Sequence, residues 1–311
     1  MNAAVYIAVN TVFVLLVSPF LAGLVRKVKA WTQGRRGVPL LQNYYLLFKL
    51  LKKETLYAAS ASFITRIAPL LSLTFVLEAS LAVPLVFIPA PLAGLGHVIL
   101  FLYLLVAAKF FMALGGLDAG STFGGMGSSR EMAISAVIEP GVILVVGAAA
   151  FTLRTLDIPA MFAAAAALPP FGSAALVLIS ISLFIVLITE PSRIPVDNPE
   201  THLELTMVHE AMLLEYTGPN LALMEASHAV KQTLLMGLVI NLLFPWGLAG
   251  TLTPGGVLIG MAAFAGKAIV LAGVIGVFES LTAKWRLFSL PKLFVLAYSL
   301  AFLTIVIELL A

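Results

Sequence analysis

The 311-residue sequence contains no cysteine. This absence excludes disulfide bonds, iron–sulfur clusters held by thiolates and cysteine-ligated zinc sites within the chain. Charged residues are also few, at 11% of the total. No phosphate-binding loop or dinucleotide fingerprint is present, and no internal repeat of the kind found in secondary transporters stands out. We therefore expect no cofactor to be bound by this chain, and the sequence favours neither a self-contained enzyme nor a free-standing transporter.

Apolar residues, in contrast, make up 61% of the sequence and give it a mean hydropathy of +1.08. Apolar stretches of about 20 residues recur along the chain, and each is long enough to cross a bilayer. The sequence thus predicts an all-α, polytopic membrane protein that forms a single integral membrane domain over residues 1–311. Eight transmembrane helices are predicted, at roughly 3–25, 64–88, 92–114, 132–153, 172–189, 228–249, 255–279 and 288–310.

The basic residues predict how these helices are oriented across the membrane. Outside the spans they lie in the connections after odd-numbered spans, whereas the other connections contain only Arg154. By the positive-inside rule, the basic connections are cytoplasmic and both termini lie outside. The predicted cytoplasmic segments are residues 26–63, 115–131, 190–227 and 280–287.

The connection Glu190–Glu215 concentrates charge in an otherwise apolar chain. It holds six of the 15 acidic residues, together with two histidines and one arginine. Three prolines keep its first part from forming a continuous helix. Asn198, Pro199 and Glu200 then have the features of a helix start, which are a capping side chain, a proline where no donor is needed and an acid in the first turn. The pattern predicts a helix over residues 200–216.

Leucines and methionines between these charges indicate that the predicted helix is partly buried. Glu200, Glu204 and Glu215 share one stripe of it, while His202 and His209 lie on nearly the opposite side. Neighbouring buried carboxylates bind protons more tightly because like charges and lost hydration both oppose ionisation. The cluster could therefore load and release protons near neutral pH. The alternative is a solvated loop whose carboxylates only contact water.

Charged residues also occur inside the predicted spans. Glu78, Lys109, Glu139 and Lys267 are costly in lipid, and such residues usually face a bundle interior or a water cavity and mark an ion path. Glu78 and Lys267 could instead form a static buried pair. Glu308, near the end of the last span, is explained by snorkelling to the interface.

Three shorter patterns have a structural or chemical reading. Residues 42–53 combine aromatics, leucines and lysines, as expected of a helix along the membrane interface. Residues 115–129 are rich in glycine and serine and predict an irregular loop. His209 and Glu210 begin like a zinc-protease motif, but Leu213 occupies the position of the second histidine, so this metal site is excluded.

Four segments, in this order and at these intervals, resemble one family of membrane proteins. They are RRGVPLLQNYYLLFKLLKKE (35–54), GSSREMAISAVIEP (127–140), EPSRIPVDNPETHLELTMVHEAMLLEYTG (190–218) and FESLTAKWRLF (278–288). The family is the membrane subunit shared by energy-converting group 4 nickel–iron hydrogenases, including formate hydrogenlyase, and respiratory complex I, where it is subunit 1. The resemblance covers essentially the whole chain.

The resemblance implies an eight-helix bundle that translocates protons or sodium beneath a peripheral arm, in the cytoplasmic membrane of a prokaryote. It places a nickel–iron centre and iron–sulfur clusters in partner subunits, namely a hydrogenase-like large subunit and an iron–sulfur small subunit. Antiporter-like membrane subunits and the lipid bilayer are the other expected neighbours, and no nucleic acid is expected. The chain would be a subunit of an oxidoreductase complex with no catalysis of its own.

In the quinone-reducing relatives the acidic loop follows a pattern that this chain retains at Glu190, Arg193, Pro195, Asp197, Glu200, Glu204, Glu215 and Tyr216. His202 stands where those enzymes usually have another acid, and the stretch between Glu204 and Glu215 is longer than theirs. In these departures the loop resembles the hydrogenase-type branch of the family.

The charges and the resemblance together predict two sets of site residues. The predicted proton path consists of Glu78, Glu139, Glu190, Glu204, Glu210, Glu215 and Lys267. The residues predicted to brace the loop or to face the peripheral arm are Arg35, Arg36, Arg130, Arg193, Asp197, Glu200, His202, His209 and Tyr216. No residue is predicted to be catalytic or to bind a metal. Two alternatives remain, a quinone-chamber subunit of a complex I-like oxidoreductase and a passive membrane anchor for the peripheral arm.

Overall fold

A computed structural model of the chain describes residues 3–88, 95–168, 173–198, 207–248 and 253–310. These residues fold into α-helices, so the predicted all-α class is confirmed. The helices are α1 Ala3–Thr32, α2 Gln42–Leu51, α3 Phe63–Ala82, α4 Val98–Asp118, α5 Thr122–Thr152, α6 Ile158–Ala166, α7 Ala174–Thr189, α8 His209–Leu213, α9 Gly218–Leu243, α10 Pro254–Leu281 and α11 Leu290–Leu310.

Within the described residues, six helices are long and apolar enough to cross a membrane, and the chain is therefore a multi-pass membrane protein. These are α1, α3, α4, α5, α10 and α11. The other two predicted spans coincide with α7, which has only 16 residues, and with α9, which has 26 residues but carries several polar groups. Eight helices thus match the eight predicted spans in position, and the count of eight membrane crossings stays a prediction.

The helix α9 lies in the interior of the bundle, which explains how it tolerates polar residues. It packs against α1, α2, α3, α7 and α10, and almost every side chain from Lys231 to Leu242 is buried. A helix enclosed by protein can carry Lys231 and Gln232 where a lipid-facing helix cannot, because neighbouring side chains satisfy them. The polar residues of α9 therefore point to a site inside the bundle.

The prediction of an irregular loop over residues 115–129 is wrong. The helix α4 continues to Asp118 and α5 begins at Thr122, so only a short turn separates them, with Gly120 at a φ of +68°. The glycines on α5 instead allow close packing: a Cβ added to Gly127 would lie 2.7 Å from Ala211 Cβ on α8 and 2.9 Å from the Val208 carbonyl oxygen. We call this contact the glycine seam.

Replacing Gly127 with alanine is expected to destabilise the protein by about 1–3 kcal/mol, because the added methyl group overpacks the glycine seam. Gly125, two residues away on the same helix, has no atom within 4 Å of an added Cβ. Gly125→Ala is the matched control, and it should stabilise α5 by up to about 1 kcal/mol through its better helix propensity. Thermal unfolding in detergent measures the stability of both variants. Equal unfolding midpoints for the two variants would refute the close contact at Gly127.

The predicted helix over residues 200–216 begins outside the described residues, since Glu200, His202 and Glu204 lie among residues 199–206. The described part is helical only in α8, from His209 to Leu213, and its extension to residue 216 is wrong. The chain turns before Gly218, whose φ is +55° and whose added Cβ would lie 2.9 Å from the Lys53 carbonyl oxygen. At this close approach to the segment after α2, the chain changes direction and α9 begins.

Candidate functional site

Glu190, at the end of α7, is the centre of a buried ion-pair network. Its Oε1 lies 2.9 Å from Lys109 Nζ on α4 and 2.7 Å from Lys231 Nζ on α9. Burial raises the pKa of this carboxyl, but the two ammonium groups together outweigh burial and bring its pKa down to about 2. Glu190 therefore joins three helices as an ionised hub.

Two further carboxylates complete the network, both from α5. Glu139 Oε1 lies 3.9 Å from Lys109 Nζ, and its side chain is 28% exposed, so it occupies the outer edge of the network. Glu131 is buried, and its Oε2 accepts a hydrogen bond from Ser192 Oγ at 3.1 Å. Glu139 and Glu190 thus form ion pairs with the ammonium groups of the network, while Glu131 lies beside them and is held by a hydroxyl group.

The loop after α7 is fixed by Arg193. Its Nε donates to Glu279 on α10, and its Nη1 donates to Gln232 Oε1 on α9 at 2.9 Å. Glu279 also lies 3.8 Å from Lys29 on α1. All three charged groups are buried, and buried charges persist only when they are paired in this way.

Asp197 joins the loop to α8. One of its oxygens accepts hydrogen bonds from the backbone amides of Val208 and His209, each at 3.1 Å. The other accepts from Lys284 Nζ at 2.6 Å. From α5, Arg130 Nη1 donates to the Met207 carbonyl oxygen at 2.9 Å. The two described ends of the acidic connection are therefore held to each other and to α5.

Two small cavities adjoin the network, and their volumes are given as the space open to the centres of water molecules. The outer cavity, of about 40 Å³, is lined by residues that include Arg26, Asn43, Glu210, Glu225 and Gln232. The inner cavity, of about 20 Å³, is lined by residues that include Lys109, Glu131, Glu190, Ser227 and Lys231. A water needs about 10–15 Å³ by this measure, so the outer cavity holds a few waters and the inner cavity about one.

An apolar crevice of about 350 Å³ lies between α4 and α5. Its walls include Leu102, Tyr103 and Ile143, and both Glu139 and Glu190 line it. Tyr103 and Ile143 are largely exposed in the isolated chain. The crevice thus reaches the ion-pair network from the outer surface of the bundle.

The other predicted site residues lie around this network or away from it. Glu210 is partly buried on the outer cavity, and Glu215 is partly buried after α8. Tyr216 is buried with no hydrogen-bond partner for its hydroxyl among the described residues, and burial, followed by the charge of Asp118, raises its pKa. Arg35 and Arg36 are exposed after α1.

Lys267 is remote from the network and caps the end of α9. Its Nζ donates to the carbonyl oxygens of Phe244 and Trp246, both at 2.9 Å. It also donates to Asn241 Oδ1 at 3.3 Å. Asn241 lies about 15 Å beyond Lys231 along α9, and this distance separates Lys267 from the network. Glu78 is exposed on α3, so the static Glu78–Lys267 pair that the sequence left open does not form.

Several network residues were missed at the level of sequence. Lys231 and Glu279 could have been selected in the same way as Lys109, because each is a charged residue inside an apolar predicted span. Glu131 lies two helical turns before Glu139 on the same face of α5, which could have paired them. His228 had no comparable signal, because nothing in the local sequence places it beside His209.

The chain belongs to the NADH dehydrogenase family, whose model matches residues 4–309. Among its relatives is formate hydrogenlyase subunit 4 of Escherichia coli, which is 30% identical over 304 residues, with 98% of each chain covered. Hydrogenase-4 component C of the same organism is 29% identical, with 96% of this chain and 93% of the relative covered. The resemblance predicted from the four segments is therefore confirmed.

The complex I side of the family is also represented. An NADH-quinone oxidoreductase subunit of Wolbachia pipientis wMel is 29% identical, with 72% of this chain and 70% of the relative covered. The fold is shared with a chain from the membrane-bound sulfane sulfur reductase, an archaeal respiratory membrane complex, at a TM-score of 0.80 and 18% identity over 98% of this chain. The relatives are subunits of membrane-bound redox complexes.

Proposed function

We propose that this chain is the membrane subunit of an energy-converting, hydrogenase-type complex and couples electron transfer in a peripheral arm to proton or sodium translocation. The observation that carries the proposal is the buried network at Glu190, in which Glu190 and Glu139 form ion pairs with Lys109 and Lys231 beside the buried Glu131. The match to formate hydrogenlyase subunit 4 over 98% of both chains supports the hydrogenase branch. The nickel–iron centre and iron–sulfur clusters then belong to the large and small subunits of the arm.

The geometry suggests how protonation is relayed within the network. Lys109 contacts both Glu190, at 2.9 Å, and Glu139, at 3.9 Å. The Lys109 ammonium group can pass a proton to Glu139 at the outer edge of the network, which leaves a neutral amine beside the ionised Glu190. A proton that arrives through the water of the inner cavity then restores the ammonium group, because the Glu190 carboxylate attracts the positive charge. Movement of charge through the network thus needs only small displacements of one lysine.

The loop between Glu190 and Asp197 is the proposed link to the peripheral arm. Arg193 and Asp197 fix it to α8, α9 and α10, so a change at its cytoplasmic side alters the surroundings of Glu190. We place this loop and the exposed Arg35 and Arg36 in the cytoplasm, with both termini outside. An antiporter-like partner subunit is proposed to cover the crevice beside Glu139 and to receive the ion. In this arrangement residues 1–311 act as one integral membrane unit of a prokaryotic cytoplasmic membrane.

A quinone-chamber function is favoured by the complex I relatives. The outer cavity of about 40 Å³ is far below the roughly 300–1,000 Å³ of most small-molecule sites, whereas the apolar crevice beside Glu139, of about 350 Å³, lies within that range. We propose that the outer cavity holds water and that the crevice is covered by a partner subunit rather than filled by a quinone headgroup. Purifying the intact complex through a tag on this chain decides between the two branches. Nickel together with hydrogen evolution supports the proposal, and quinone reduction without nickel refutes it.

Replacing Glu139 with glutamine is expected to lower proton translocation at least tenfold per electron transferred, while the complex still assembles. Inside-out membrane vesicles with reduced methyl viologen as donor allow hydrogen to be measured by gas analysis and proton uptake by quenching of an acridine dye. Glu308→Gln is the matched control, because Glu308 lies near the end of α11 and away from the network. If the chain is only a passive anchor, the complex will translocate protons equally well with either substitution.

A further inference from the structure

The outer and inner cavities share only a few lining residues among those described. These are Pro191, Ser192, His209 and His228. Proline has no group that exchanges a proton, and the Ser192 hydroxyl is already bonded to Glu131. The two imidazoles are therefore the titratable side chains that border both cavities.

The two histidines are placed for proton exchange with each other. Their ring centroids are 4.4 Å apart and the rings are inclined by 45°. At this spacing one water can bridge a nitrogen of one ring to a nitrogen of the other. A neutral imidazole has one donor and one acceptor nitrogen, so it can take a proton on one side and release one on the other. His209 is buried and His228 is partly buried, and both rings line the two cavities.

Charged side chains line both cavities beside the two rings. Arg193 and Lys231 lie near His228, with Arg26 farther along the outer cavity. The acids that line the two cavities are Glu210, Glu225 and Asp197 on the outer side and Glu131 and Glu190 on the inner side. Among the described residues, no carboxylate forms an ion pair with either ring. The pair therefore lies between acidic side chains of the outer cavity and acidic side chains of the inner cavity.

We propose that His209 and His228 form a proton-transfer pair that connects the outer cavity to the ion-pair network at Glu190. This inference rests on the proposed function. His228 accepts a proton from a water of the outer cavity on one nitrogen and releases the proton of its other nitrogen to His209. His209 in turn accepts on one nitrogen and releases from the other to the water beside Glu131 and Glu190. Each ring ends neutral in its other tautomer, and rotation of the rings resets the pair.

The position of the pair makes it sensitive to the peripheral arm. His209 lies on α8, and His228 lies on the interior helix α9. Asp197 joins α8 to the loop, and α8 packs closely against α5 at the glycine seam. A displacement of α8 changes the separation of the two rings. Proton transfer depends steeply on this separation because it requires hydrogen-bonding distance. The pair can therefore open or close the connection as α8 moves.

Three variants test the pair in inside-out vesicles prepared from the intact complex. His209→Gln and His228→Gln are expected to lower the rate of proton translocation at least tenfold, because an amide does not carry a proton. His228→Glu is expected to restore at least a third of that rate with an optimum shifted to lower pH, because a carboxyl group carries protons with a lower pKa. His97→Gln is the control, since His97 caps α4 away from the network.

The Glu139→Gln variant separates failure of the pair from failure of the proposed function. If Glu139→Gln abolishes translocation while both histidine-to-glutamine variants pump normally, the pair is refuted and the proposed function stands. If none of the three affects translocation in assembled complex, both are refuted. A glutamate at position 228 that leaves the rate as low as glutamine would also overturn the pair, because the position would then act through packing alone. Assembly is measured by size-exclusion chromatography for every variant.

Discussion

Replacing Glu190 with glutamine is expected to abolish proton translocation and to lower the free energy of unfolding by about 3–5 kcal/mol, the usual cost of breaking a buried ion pair. The substitution removes the carboxylate that lies within 3 Å of two ammonium groups. Lys109 and Lys231 then face each other with too little negative charge between them. Chemical denaturation of the detergent-solubilised protein measures the loss.

The double variant Glu190→Gln with Lys231→Met is the matched control for this loss. It removes one uncompensated ammonium group and leaves Lys109 with Glu139 and Glu131. We expect it to regain at least half of the lost stability but none of the translocation, because the hub remains neutral. A single variant as stable as the parent protein would show that Glu190 is not the centre of the network.

The pH dependence of stability provides a second measurement with a definite sign. The pKa of Glu190 is lowered to about 2 in the folded protein, whereas an unfolded glutamate has a pKa of about 4.3. The stabilisation from Glu190 is therefore complete above about pH 5 and is lost as the pH falls toward 2. The parent protein should lose this stabilisation over that range, and Glu190→Gln should lack this component of the acid dependence.

Replacing Glu279 with glutamine is expected to destabilise the protein by a similar amount, about 3–5 kcal/mol. Glu279 is the shared partner of Arg193 and Lys29, and all three are buried. Without it, the side chain of Arg193 keeps its hydrogen bond to Gln232 but has no carboxylate partner among the described residues. Amide hydrogen exchange over residues 192–198 should then rise more than in the Glu190→Gln variant, because the loop itself is released.

Ser280→Ala is the control for Glu279→Gln. Ser280 is the next residue on α10, and its hydroxyl donates a hydrogen bond to the Val277 carbonyl oxygen within its own helix. Its replacement should change stability by no more than about 0.5 kcal/mol. If both variants behave alike, the Arg193–Glu279 contact does not position the loop.

Much of the site could be predicted from local sequence because burial of a charge leaves a trace in hydropathy. Glu139, Glu190, Arg193 and Asp197 interrupt apolar segments or follow them, and the structure brings all four to one region. Glu78 interrupts a span in the same way, yet it is exposed on α3 in the isolated chain. Hydropathy marks a costly charge but does not say which way its side chain faces.

Pairing between distant segments could not be predicted from the same signal. Glu190 meets Lys109 across 81 positions, and Arg193 meets Glu279 across 86. Nothing in the local pattern identifies these partners. The glycines at 124 and 127 were likewise ambiguous, because the missing Cβ that permits a flexible loop also permits two helices to approach closely.

The length of α5 gives the glycine seam a mechanical consequence. Its 31 residues span about 46 Å, and a hydrocarbon layer is only about 30 Å thick. Pro140 lies beyond its midpoint, where the missing amide hydrogen weakens the helix and favours bending. Gly127 is about 20 Å from Pro140 along the helix, so a sideways displacement of about 2 Å by α8 corresponds to a bend of only about 6°. Glu139 is the residue before Pro140, so we expect such a bend to turn its side chain relative to Lys109 with little displacement of its Cα atom.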